Sequence, residues 1–338
     1  MIPNDVEPML GMIQMIAGFW ISRTIQVAAK LGLADLVAEE PKTIAELAEA
    51  TETHAPSLYR LLRALASVGV FMEQEDGRFA STPMAATLET AAPVSLRAFA
   101  TSELGEVHYE SWGKLLHSVK TGEIAFNHVF GEPVWEYFAT HPENAKLFNQ
   151  SMTDLTSVVE PAVVGAYDFK PFQRIVDIGG GHGSFISSIL KNNPHLEGIL
   201  YDAPQVIEGA QERVAARGLN GRCQLVAGDF FSSVPDGGDL YLMKHIIHDW
   251  DDEKCITILR NCRRAMNEQG RVIVVDQVVP QGNAPSLGKF TDLLMLVMVG
   301  GKERTEEEFR TLFNAAGLKL TRIIQTQSPM SIIEGAKQ

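Results

Sequence analysis

The chain has 338 residues, 45% of them apolar and 21% charged, which places it among folded globular proteins with room for two domains. Its formal charge of −13 repels phosphate, so nucleic acid and anionic membranes are poor partners and a neutral or cationic ligand suits it better. The three cysteines, Cys223, Cys255 and Cys262, show no CxxC spacing, and neither a disulfide framework nor a zinc site is indicated.

The opening run MIPNDVEP carries acids where a signal peptide would carry basic residues. The apolar stretch Met9 to Ile21 is too short to span a bilayer and runs straight into Arg23. A cytoplasmic protein is expected. Met9 to Val37 reads as one or two helices that are apolar on nearly all sides, whereas a surface helix would show a single stripe. Such a segment either buries itself in its own domain or packs on a second copy. A homodimer through these N-terminal helices is the preferred reading, because the segment has little of its own chain to hide in.

Thr43 to Phe79 has the rhythm of a winged helix. Thr43 can cap IAELAEA, and His54-Ala55-Pro56-Ser57 breaks the chain before a second helix, SLYRLLRALASVG. Phe71-Met72-Glu73 and Arg78-Phe79-Ala80 would form the wing, turned at Glu75-Asp76-Gly77. A winged helix can bind DNA, but between Thr43 and Glu89 seven acids face three arginines, the reverse of a DNA-reading surface. An architectural role is expected.

Pro93 to Tyr167 reads as mainly helical with scattered aromatic residues. From Arg174 the pattern changes to short β-rich runs alternating with amphipathic helices: RIVDI, GILYD, CQLVAG, LYLMK and RVIVVD. That alternation means a parallel sheet with helices on both faces. LKLTRIIQT and MSIIEG can close it as an antiparallel hairpin at the edge. The domains expected are 1–92, a winged-helix dimerisation domain; 93–169, a helical connector and substrate cap; and 170–338, an α/β catalytic domain.

The first strand ends Asp177-Ile178-Gly179-Gly180-Gly181-His182-Gly183-Ser184 and enters a helix. The dinucleotide fingerprint does not fit this spacing, which disfavours a nicotinamide-dependent oxidoreductase. Asp-x-Gly-x-Gly-x-Gly fits in full and resembles the first motif of Rossmann-like methyltransferases. The resemblance implies S-adenosylmethionine as cofactor, with Asp177, Gly179 and Gly181 beneath it. Asp202 ends the second strand, where a carboxylate can accept both hydroxyls of a ribose; the bland alternative is a helix N-cap before Pro204. Asp229 and Phe230 follow the third strand and suit an adenine, or else are a turn acid beside a core aromatic.

The fourth strand leads into Leu242-Met243-Lys244-His245-Ile246-Ile247-His248-Asp249-Trp250. This run is similar to the signature of the large plant and bacterial small-molecule O-methyltransferases, which include caffeic acid, hydroxyindole and antibiotic-tailoring enzymes. The similarity spans essentially the whole chain, including Phe148 to Met152 and Gly300-Gly301-Lys302-Glu303-Arg304-Thr305. It implies His248 as general base, flanked by Asp276 and Glu303, with Lys244 on the cofactor and Met152 against the substrate ring. Asp276 stands where many plant members have glutamate, a shorter reach to the imidazole. Asp249 is placed with the substrate contacts. Trp112 and Phe126 either line that site or are plain core.

A neutral imidazole that takes a phenol proton as the oxygen attacks is worth about 10²–10⁴-fold, and a carboxylate on its other nitrogen fixes the tautomer. No metal is required. His245 and His248 have the spacing of a metal pair, but no third ligand stands in local spacing. Asp251, Asp252 and Glu253 read as the acidic first turn of a helix. His182 can reach the cofactor, and His108, His117 and His128 the substrate, although structural or solvated roles suit each as well. The function expected is O-methylation of a small aromatic or quinone-like metabolite. Two rivals remain: the same fold with other chemistry (N-methylation, hydroxylation or decarboxylation), and a regulator that senses S-adenosylmethionine.

Overall fold

The computed structural model describes residues 6–219 and 221–338. The first five residues of the opening run, read above for its charge, lie outside them. Contacts divide the chain into two units, Met1–Tyr109 with His141–Leu155, and Glu110–Thr140 with Thr156–Gln338.

The first unit is helical. A 26-residue helix, Val6–Leu31, is followed by the helices Ile44–Ala50 and Ala55–Ser67 and by a two-stranded wing, β1 (Met72–Glu73) and β2 (Phe79–Ala80). Thr43 starts the second helix with a reciprocal capping box, its hydroxyl accepting from Glu46 N while the Glu46 carboxylate accepts from Thr43 N. Leu33, Leu47, Leu58, Leu62, Leu65, Phe71 and Phe79 fill the core between these elements. The long helix turns only its C-terminal end into that core. Its N-terminal half exposes Met9, Met12, Ile13, Met15, Ile16, Phe19 and Trp20, with Met15 78% and Trp20 63% accessible in the single chain. An unpartnered apolar face of this extent is what a protein partner covers.

The second unit is built on a seven-stranded sheet. Its strands are β3 (Arg174–Ile178), β4 (Glu197–Asp202), β5 (Cys223–Ala227), β6 (Leu240–Lys244), β7 (Arg271–Asp276), β8 (Leu318–Gln325) and β9 (Ser331–Lys337). Their order is β5-β4-β3-β6-β7-β9-β8; β9 runs antiparallel to both its neighbours, β7 and β8, and the other pairings are parallel. Side chains alternate between two cores with the period of two that a strand imposes. Val176, Tyr241, Met243, Val272 and Val274 face the helices Asp252–Ala265 and Glu306–Ala315. Ile175, Leu240, Leu242, Ile273 and Val275 face Ser184–Asn192 and Pro204–Ala216. The helices Gly288–Met298 and Glu306–Ala315 occupy a stretch to which the sequence pattern assigned no element. No described helix is long and apolar enough to cross a membrane.

The chain lays β4 and β5 to one side of β3 and then returns to lay β6 and β7 on the other. The reversal opens a crevice at the carboxyl ends of β3 and β6, the place where open α/β sheets take their ligands.

Candidate active site

Asp177 lies near the end of β3, wholly buried, and its Oδ2 has no hydrogen-bond partner. Burial raises its carboxyl to about 7, against the opposing pull of Lys244. Gly181, in the loop that follows, has φ +59 and open space where a Cβ would stand. A glycine is what this backbone conformation calls for, and the space above it stays free for a ligand. Asp202, at the end of β4, holds the loop: its Oδ2 accepts from Gly181 N at 2.8 Å and its Oδ1 from Ala203 N at 2.7 Å. Each oxygen keeps a second lone pair for a bound hydroxyl.

Lys244 ends β6 across the crevice. It is half-buried and makes no hydrogen bond or ion pair with the described residues, and desolvation lowers its ammonium to about 8 while Asp177, Asp276, Glu160 and Asp249 resist. A half-buried ammonium without an ion pair and a buried carboxylate oxygen without a partner fit a ligand that brings a carboxylate and an ammonium of its own. Asp229 is held in the same way by its own turn: its Oδ1 accepts from Phe231 N at 2.9 Å and its Oδ2 from Ser232 Oγ at 2.7 Å, and each oxygen again keeps a second lone pair. Phe230 stands beside Phe231 and Trp250, with ring centres 4.8 and 6.2 Å away. The indole Nε1 of Trp250 is buried without a partner.

His248 sits in a 3-10 turn, Ile247–Asp249, just past β6. Its Nδ1 lies 2.9 Å from Glu303 Oε1, and its Nε2 lies 3.5 Å from Asp249 Oδ1. Asp276, at the end of β7, makes no hydrogen bond to the ring. Its Oδ1 accepts from His245 N at 3.1 Å, and its Oδ2 is buried without a partner. Burial works to strip the proton from His248, but Asp276, Asp249 and Glu303 together raise it to about 10. Burial also raises Asp249, to about 6, and Asp276. His245, His248 and Asp276 each bring one donor atom within 4.8 Å of the others, the one such group among the described residues.

The glycine loop, the lysine-ended strand and the histidine turn lie inside a recognised module. Residues 112–319 match the model of the O-methyltransferase domain, and residues 13–91 that of the O-methyltransferase dimerisation domain. The chain belongs to this O-methyltransferase family. It is 48% identical to phenazine O-methyltransferase PhzM of Lysobacter antibioticus over 323 residues, covering 96% of this chain and 94% of the relative. The crystal structure of LaPhzM is similar at a TM-score of 0.93 and 48% identity, over 97% of this chain and 98% of the other. NcsB1 of neocarzinostatin biosynthesis, an O-methyltransferase solved with S-adenosylmethionine and 2-hydroxy-5-methyl naphthoic acid, is similar at a TM-score of 0.81 and 32% identity, covering 94% and 96%.

The remaining residues singled out in this O-methyltransferase fall in several places. Phe126 is fully buried and packs with Phe130 and Tyr137, while Trp112 is half-buried in the same unit. Met152 is half-buried in the helical first unit, as is the buried pair His108 and Glu103, 3.3 Å apart. His117 stacks on His128 with ring centres 4.0 Å apart and reaches Glu123. His182 lies over Gly209, its proton affinity lowered by burial and Arg213. Asp251 caps the helix Asp252–Ala265 through Lys254 N.

Four residues carry weight that the sequence pattern did not reveal. Trp250 was read only as part of the run, and Glu160, a half-buried acid that acts on Lys244, was not singled out. His245 was weighed only as half of a metal pair. Arg304 is the fourth: 1% exposed, it donates to Ile247 O at 2.9 Å, Trp250 O at 3.0 Å and Asp252 Oδ1 at 2.7 Å. A long cation in the run Gly300-Gly301-Lys302-Glu303-Arg304-Thr305 looks like surface in one dimension, and its partner Asp252 reads there only as an acid in a first helical turn.

Replacing Arg304 with methionine leaves the carbonyls of Ile247 and Trp250 with only weak donors and is expected to cost about 1–3 kcal/mol, read from urea unfolding. Lysine cannot reproduce the planar fork and is expected to recover only part of the loss. An unchanged unfolding midpoint in the methionine variant would show that the guanidinium does not hold the turn.

Proposed function

We propose that the chain is an S-adenosylmethionine-dependent O-methyltransferase that methylates a hydroxyl of a small aromatic or quinone-like metabolite, with His248 as general base and without a metal. The observation that carries this reading is the 2.9 Å bond from His248 Nδ1 to Glu303, at the mouth of the β3–β6 crevice. When the ring is neutral, that bond puts the hydrogen on Nδ1 and leaves the Nε2 lone pair free for an acceptor hydroxyl. Asp249, 3.5 Å from Nε2, stands where it can hold the same hydroxyl.

Bound S-adenosylmethionine supplies a methyl group on a sulfonium, an electrophile that needs only an aligned oxygen. Lys244 and Asp177 would hold its amino-acid end, Asp202 its ribose, and Phe230 with Trp250 its adenine. Gly179 and Gly181 would let the backbone pass beneath, and Asp229 would accept from the adenine through the lone pairs that its turn leaves open. Met152, by the family resemblance, and Trp112 would be acceptor contacts, while Phe126, fully buried with Phe130 and Tyr137, would be core; residues 93–169 would act as connector and cap, 1–92 as the dimerisation domain and 170–338 as the catalytic domain. A divalent ion at His245, His248 and Asp276 is disfavoured by the half-buried ammonium of Lys244 beside them, which raises the cost of a second cation.

A phenol loses its proton near pH 10, and His248 is raised to about the same value, so transfer between them is close to thermoneutral. Acceptor and base must together give up one proton before the reaction. kcat/KM is therefore expected to climb with pH through neutrality and to level only in the alkaline range. Glu303→Gln removes an anion that stabilises the imidazolium, so this rise is expected about one pH unit lower, with a reduced plateau; a rise that stays in place removes Glu303 from contact with the base.

The direct test is S-adenosylhomocysteine formation with phenols, catechols, hydroxyindoles and hydroxyquinones in excess chelator, with product mass locating the methyl on oxygen. His248→Ala is expected to lower turnover by about 10²–10⁴-fold while cofactor binding persists. Full turnover in that variant would remove His248 as base, and loss of activity on chelation would bring a metal back. For the homodimer, the exposed face of Val6–Leu31 is the support. The double variant Ile16→Asp/Trp20→Asp is expected to scatter light as a monomer at micromolar concentration where the parent is a dimer.

A further inference from the structure

His245 is one of two non-glycine residues with positive φ among the described residues, at +56°. L residues avoid this region, and where one is held there at a ligand site the side chain is commonly the reason. The backbone is locked in place: its N–H is shared between Val275 O at 3.2 Å and Asp276 Oδ1 at 3.1 Å. The ring lies beside that of His248, centres 5.2 Å apart and tilted by 32°. Its Nε2 is buried without a hydrogen-bond partner. Burial, Lys244 and His248 keep the imidazole neutral, so it offers one N–H and one lone pair.

A buried polar atom with no partner is costly, and here it belongs to the ring that packs beside that of the proposed base. On an aromatic acceptor, an oxygen or nitrogen ortho or peri to the reacting hydroxyl stands about one hydrogen-bond length from it, ~2.8 Å. A donor atom of His245 and one of His248 lie within 4.8 Å of one another, a span that such a pair of heteroatoms can bridge. Rotation of the half-buried His245 ring about its broad terminal torsion would be the movement that aims Nε2 at an entering ligand.

We propose that His245 determines specificity by hydrogen-bonding a second heteroatom of the acceptor, so that the enzyme selects aromatic hydroxyls with an ortho or peri oxygen or nitrogen. The proposal rests on the reading of His248 as the base that receives the reacting hydroxyl. It assigns Asp276 a positioning role, holding the His245 backbone in its left-handed conformation through Oδ1.

The test uses two acceptors that differ by one atom, 8-hydroxyquinoline and 1-naphthol, in excess chelator. The ratio of their kcat/KM values is measured for the parent, His245→Phe and His245→Asn, so that intrinsic reactivity cancels between proteins. The same ratio is read from acceptor binding to the S-adenosylhomocysteine complex, so slow turnover does not hide the result. The parent is expected to favour the quinoline about tenfold more than His245→Phe does, the worth of one buried hydrogen bond. Asparagine tolerates positive φ and keeps a polar end, so His245→Asn is expected to recover part of the preference. It also carries the test if the phenylalanine variant does not fold. No preference in the parent, or a preference that both variants retain in full, overturns the proposal. His248→Ala separates the two readings: if His248 is not the base, that variant keeps its turnover, whereas failure at His245 alone leaves the His248 result intact.

Discussion

The site depends on one buried cation. Arg304 occupies the junction between the turn that carries His248 and the strand-like segment that carries Glu303, and nearly every donor it has is used. The carbonyl of Ile247, which opens the 3-10 turn, and that of Trp250, which caps it, otherwise have only weak partners: Trp250 N at 3.4 Å for the first, and the thiol of Cys255 for both. Arg304 satisfies both and is itself compensated by Asp252, which would otherwise be an ordinary acid in a first helical turn. Because Glu303 precedes Arg304, fixing the guanidinium also fixes the carboxylate that bonds His248. Gly301 completes the junction: a Cβ there would stand 2.0 Å from His248 O, so only glycine lets the two segments approach.

The acids around His248 then act in two different ways. Glu303 touches the ring and sets which nitrogen carries the hydrogen. Asp276 touches the backbone of His245 instead, and reaches His248 only through its field. The short aspartate stem, seen in the sequence as a reduced reach to the imidazole, has this consequence: the second acid contributes charge without direction. With Lys244, the cluster is a balance of buried charges in which no group ionises alone, an arrangement typical of sites that move protons.

Much of this was legible in one dimension because local rules produced it. Strand and helix alternation from Arg174 onward, the capping box at Thr43 and the glycine spacing after Asp177 each declare themselves within a few residues. The helix Gly288–Met298 did not, because it carries little charge and no stripe sets its period. Long-range pairings were also silent. Nothing near His248 points to Glu303, 55 positions on, and only the family resemblance joined them. Asp229 joins two readings that the sequence set apart: its carboxylate is a turn acid held by Phe231 N and Ser232 Oγ, and a lone pair on each oxygen is still open for use.

The left-handed residue is the hardest feature to foresee, since positive φ is ordinarily announced by glycine or asparagine. At His245 it arises because β6 must end and turn within one residue to place His248 beside Glu303, while β7 presents both Val275 O and the Asp276 carboxylate to the same N–H. Two acceptors for one donor offset the strain that glycine would have avoided. A glycine would ease the backbone and remove the ring. That the chain carries histidine here sets an imidazole beside the proposed base at the expense of local conformational energy, and it makes the reading of the acceptor's edge a property of the same turn that presents the base.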